Sequence, residues 1–84
     1  MPLVVDFHGI RIYIHPFDHA PPHVHVYKAD REAVIDLQTL GVLEGDLPHE
    51  TLKRAKEWMR KRKPEIWIRW EMAQKGERFE PIKE

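Results

Sequence analysis

His23-Val24-His25-Val26-Tyr27-Lys28-Ala29-Asp30-Arg31-Glu32-Ala33-Val34-Ile35-Asp36-Leu37 reads as two strands joined by a tight turn. Side chains in a strand repeat every second residue, so Val24 and Val26 share one face while His23, His25 and Tyr27 share the other. With Ala29-Asp30 as the turn, Lys28 pairs with Arg31, Val24 falls opposite Ile35 and His23 falls opposite Asp36. A slip of one residue would send Asp36 into the core, so burial selects this register. Ala33, Ile35 and Leu37 then complete the apolar face. Val34, opposite His25 on the polar face, is the one residue that does not suit its place.

Working outward, Leu3 to Phe7 and Ile10 to His15 are two further β-rich runs, linked by His8-Gly9, a pair that accepts the positive φ of a hairpin turn. Ile10, Ile12 and Ile14 alternate with Arg11, Tyr13 and His15, which indicates one covered and one open face. The loop from Pro16 to Pro22 cannot extend a ladder, because three of its seven residues lack a backbone N–H; one of its X-Pro bonds could be cis. The strands therefore span about 3–7, 10–15, 23–28 and 31–37, and Val42-Leu43-Glu44 could add a short edge strand.

Downstream the period changes. Gly45-Asp46-Leu47-Pro48 has the composition of a helix start, with Asp46 as cap and Pro48 in the first turn. Leu52, Ala55, Trp58 and Met59 form one stripe of a helix over about 48–63. Pro64 resets the chain, and Ile66, Trp70 and Ala73 at helical spacing give a second helix over about 65–75, ended by Gly76. Phe79 and Ile82 mark a short extended tail. The fold expected is α+β: a three- to four-stranded antiparallel meander, with two C-terminal helices packed on the isoleucine and valine face.

At 84 residues the chain has the length of one domain with a thin core. It has no cysteine, hence no disulfide and no thiolate metal site. It also has no serine for a serine triad. Lysine plus arginine balance aspartate plus glutamate at 14 each. The cations are concentrated in one segment, however: Lys53, Arg54, Lys56, Arg60, Lys61, Arg62 and Lys63. Zero net charge makes that run a solvated helix face before it makes it a nucleic-acid surface. No apolar run approaches a membrane span, and the start lacks the charged lead of a signal peptide, so a cytoplasmic protein is expected.

The least ordinary stretch is Asp18-His19-Ala20-Pro21-Pro22-His23-Val24-His25-Val26, with three of the six histidines. Three readings are open. A transition metal such as zinc could be held by His23 and His25, with His19 and Asp36 as further ligands. Without a metal, His23, His25 and His19 could supply acid–base catalysis of RNA cleavage, Arg11 neutralising charge and Tyr13 and Tyr27 stacking bases. The same residues could instead be structural, or face a protein partner, since exposed polar aromatics suit an interface. Trp58, Trp67 and Trp70 read as core or interface anchors, His8 as a turn residue and His49 as solvent-exposed.

This motif, with Glu32-Ala33-Val34-Ile35-Asp36, Leu43-Glu44-Gly45-Asp46-Leu47-Pro48, Trp58 and Trp70-Glu71, resembles a family of small bacterial proteins, the domain of unknown function 4160. The resemblance runs from about Phe7 to Ile82. It implies no activity. It does imply a small cytoplasmic protein, encoded beside another small protein in a toxin–antitoxin-like arrangement. The chain departs from the family pattern at Arg69, where an asparagine commonly precedes the tryptophan of the second helix. Combined with the histidine-bearing face, the expectation is a toxin–antitoxin-type component that binds a small partner protein. RNA is a further candidate ligand, and a homo-oligomer is possible.

Overall fold

The meander expected from the alternating segments is present with one more strand. In a computed structural model describing residues 2–84, β1 (Leu3–Phe7), β2 (Ile10–Tyr13), β3 (His23–Lys28), β4 (Arg31–Asp36) and β5 (Val42–Gly45) form one antiparallel sheet in sequence order. Two helices follow, α1 (His49–Lys61) and α2 (Lys63–Gln74). Between β3 and β4, Lys28 pairs with Arg31, Val24 with Ile35, His25 with Val34 and His23 with Asp36. His8 (φ 52°) and Gly9 (φ 74°) make the first turn in the left-handed region, and Ala29 (φ 54°) starts the second.

Departures from expectation fall at element ends, where side chains compete with the ladder. β2 stops at Tyr13, short of Pro16, which has no N–H with which to extend the ladder. β4 stops at Asp36, whose Oδ1 accepts the N–H groups of Gln38 (2.7 Å) and Thr39 (2.8 Å) and so turns the chain. β5 adds the fifth strand. Gly45 (φ 77°) lies against Ala33, where a Cβ would sit 2.3 Å from the Glu32 carbonyl oxygen. Asp46 does not cap α1: Pro48 is the N-cap residue, with no side-chain cap bond, and Asp46 instead accepts from Arg31 at 3.0 Å.

The core is the set read from the two periods. Ile10, Ile12, Ile14, Val24, Val26 and Ile35 are buried, and Ala55, Trp58 and Met59 of α1 and Ile66, Trp70 and Ala73 of α2 are buried with them. Burying each large aliphatic side chain contributes about 1.5–3 kcal/mol, so a small domain depends on nearly all of them. Gly76 (φ 72°) ends α2 as expected, with Glu77 N–H donating to the Met72 carbonyl (2.9 Å) and Gly76 N–H to that of Ala73 (3.0 Å). The tail then runs beside β1, where Ile82 N–H donates to the Val4 carbonyl (2.7 Å). Arg69 serves this tail, donating from Nε to the Glu80 carbonyl and lying over Phe79.

One feature of the polar face departs from the expected open surface. The Pro16 to Pro22 segment, which includes a cis Ala20–Pro21 bond, folds back and is tied to the end of α2. Phe17 N–H donates to the Ala73 carbonyl (3.1 Å), and Gln74 Nε2 donates to the Asp18 carbonyl (2.8 Å). This loop covers the start of β3. His23, expected to point away from the helices, is only 3% exposed and lies with its ring 5.4 Å from that of Trp70.

Candidate metal centre

Strand alternation sets His23 and His25 on one side of β3, about 6.6 Å apart along the chain. The returning loop delivers Asp18 between them. Its Oδ2 lies 2.9 Å from His23 Nε2 and 3.0 Å from His25 Nε2. These three residues offer one ligand atom each, all within 4.8 Å of one another. Asp18 is itself braced by the His19 N–H on Oδ1, at 3.0 Å.

The far side of each imidazole is also engaged. His23 Nδ1 lies 2.7 Å from the Pro21 carbonyl oxygen, which can only accept, so the hydrogen is on Nδ1. In the neutral ring Nε2 therefore carries a lone pair aimed at a carboxylate oxygen. Two facing lone pairs at that distance call for a cation between them, either a proton or a metal ion. His25 likewise has an acceptor at each nitrogen, Glu32 Oε2 3.1 Å from Nδ1 and Asp18 Oδ2 3.0 Å from Nε2, so a neutral ring can donate to only one of the two carboxylates.

The surrounding charges act on Asp18 and His15. Burial pushes the Asp18 carboxyl up, but the hydrogen bond from His25, the charge of His23 and the His19 N–H outweigh it and hold the group below the usual carboxylate range. It is ionised at neutral pH. The His15 ring lies 4.1 Å from that of His25, tilted by 52°; burial, then repulsion from His25, lowers its pKa from the ordinary histidine value, against the pull of Asp18 and Glu32.

The expected ligand set is thus only partly brought together. His23 and His25 converge. His19, named as both a ligand and a catalytic group, has a side chain 83% exposed with Nε2 3.9 Å from Asp18 Oδ1, at the rim of the cluster. Asp36 sits opposite His23 in register, yet its carboxylate is occupied by backbone N–H groups of its own turn. Asp18 takes the place assigned to Asp36. Glu32 is absent from the expected ligand set, although the register makes it the direct partner of Tyr27 and so the diagonal neighbour of His25. Arg11, Tyr13 and Tyr27 lie further along the same face, with the two phenol rings edge to face at 5.5 Å.

A five-stranded antiparallel meander backed by two helices, with a carboxylate–imidazole cluster at one corner, defines a small α+β protein with a candidate metal centre. The chain belongs to the family described as a domain of unknown function, DUF4160, which matches it over residues 9–71. That span contains the whole cluster. No curated protein and no solved structure matches the chain.

Proposed function

We propose that this protein binds a divalent transition-metal ion through Asp18, His23 Nε2 and His25 Nε2. The observation that carries the reading is the pair of outer contacts. The Pro21 carbonyl and the Glu32 carboxylate each hold the remote nitrogen of one imidazole, the arrangement that orients histidine ligands and fixes their tautomer. Two nitrogens and one oxygen without thiolate suit zinc and the other late divalent first-row ions, and three protein ligands leave a position for water or substrate. Metal-free acid–base chemistry on RNA would call on the same imidazoles. All four of their nitrogens, however, already face an acceptor, which favours the metal.

Elemental analysis of protein purified without chelator is expected to find close to one equivalent of transition metal. The chelator-stripped protein is expected to take up one equivalent of Co2+ with the visible absorption of a low-symmetry site. Protein that stays metal-free in both experiments would sink the reading.

A second reading, binding of a small protein partner as in a toxin–antitoxin-type pair, is favoured by β5. It is the last strand of the sheet, no described residue pairs with its outer edge, and Val42 and Leu43 are exposed on it. A free edge is a template for strand addition. Co-expression with the neighbouring gene product is expected to give co-purification that Leu43→Lys weakens; failure of the two proteins to associate would remove this reading.

A further inference from the structure

The open face of the sheet continues from the proposed ligands without a break. Residues paired across antiparallel strands point to the same side. Asp6, Arg11, Tyr27 and Glu32 therefore form one row, and Tyr13, His25 and Val34 form the next. Towards the turns at Gly9 and Ala29 lies an open depression of about 500 Å³, lined by Asp6, Gly9, Arg11, Tyr13, Tyr27 and Ala29. That volume is within the range of small-molecule sites. Tyr13 belongs to both regions, since it lines the depression and pairs with the metal-site residue His25.

The lining has a definite chemistry. Tyr13 and Tyr27, edge to face at an interplanar angle of 85°, offer aromatic surface to a planar ring. At the rim Arg11 and Asp6 are 62% and 52% exposed and only loosely paired at 3.7 Å, so guanidinium donors and a carboxylate acceptor are both free to meet the edge of a heterocycle. One two-residue step of the strand, about 6.6 Å, separates this row from the row of His25. An ion at Asp18, His23 and His25 would therefore stand from the aromatic surface at roughly the reach between the phosphate and the base of a nucleotide.

We infer that the depression binds a nucleotide unit, with its base against Tyr13 and Tyr27 and its phosphate on the ion at Asp18, His23 and His25; this rests on the metal reading above. Charge makes the dependence strict. The carboxylates along the path, Asp6, Asp18 and Glu32, outnumber the single guanidinium of Arg11, so the metal-free face repels an anion. A divalent ion reverses that balance next to the phosphate.

The test titrates zinc-loaded protein with adenosine 5′-monophosphate and with a 5′-phosphorylated hexaribonucleotide, using ribose 5-phosphate and adenosine as the two halves of the ligand. Binding of the whole nucleotide well above either half is expected, with at least tenfold weaker binding once zinc is stripped. Tyr13→Ala and Arg11→Ala are each expected to lower nucleotide affinity about tenfold, the scale of one stacking contact, with zinc uptake unchanged as the control for folding. Preference for the free nucleotide or for the strand identifies the source. Zinc uptake without nucleotide binding, or binding indifferent to zinc or to both substitutions, overturns the inference and leaves the metal reading standing. Absence of zinc uptake overturns both.

Discussion

Asp18→Asn is expected to lower affinity for a divalent transition ion by more than about 100-fold, equivalent to about 2.7 kcal/mol, while leaving the metal-free protein folded. Even outer partners of a metal site cost about 10- to 100-fold when changed, and Asp18 sits between the two imidazoles themselves. The amide retains the shape of the carboxyl, and its N–H can donate to the imidazole lone pair that the carboxylate opposes, so the loop keeps a bond to β3. What disappears is the ligand charge. Glu32→Gln, altering only the group behind His25, is expected to have the smaller effect of an outer partner, about 10- to 100-fold. Competition of each variant against a chromophoric chelator measures the series. Uptake by Asp18→Asn equal to that of the unmodified protein would overturn the assignment of Asp18 as a ligand.

Trp70→Ala is expected to cost about 3–5 kcal/mol of stability, the range for removing a large aromatic from a core. Native proteins hold only about 0.05–0.15 kcal/mol per residue, so for a chain of this length the loss takes a large share of the total. Trp70 is 6% exposed and lies between the apolar core and the His23 ring, so its removal opens a void on one side and unseats a candidate ligand on the other. Trp70→Phe keeps a ring against His23 and is expected to retain most of both. Urea unfolding midpoints, read with the metal affinity of the folded fraction, separate the two consequences. A Trp70→Ala protein with an unchanged midpoint would contradict the packing of Trp70 between the core and His23.

The hairpin of β3 and β4 was legible because two independent constraints agreed: the two-residue period of its side chains and the cost of burying Asp36 after a slip. The helical stripes were legible for the same kind of reason, since Ile66, Trp70 and Ala73 repeat at the spacing that one buried face demands. Asp18 was not. Its position depends on a loop returning to the sheet, and what returns it is the bond to Gln74, a contact that local pattern does not contain. Register alone offered Asp36 as the acid beside His23. Which carboxylate reaches an imidazole was then decided by a competition unseen in the strand pattern, between the side chain and the nearby N–H groups of Gln38 and Thr39.

That distant grip on the loop has a consequence for the order of assembly. Every strand of the sheet pairs with its neighbour in sequence, so all five can pair as soon as residue 45 has left the ribosome. The loop bearing Asp18 has partners on that sheet, the two imidazoles and the Leu37 N–H that reaches the Pro22 carbonyl, but its remaining ties, to Ala73 and Gln74, are added much later. The two histidines can thus meet their carboxylate on a finished sheet, and α2 arrives afterwards to pin the loop that carries it, so the corner where an ion would bind is among the last parts of the molecule to be fastened.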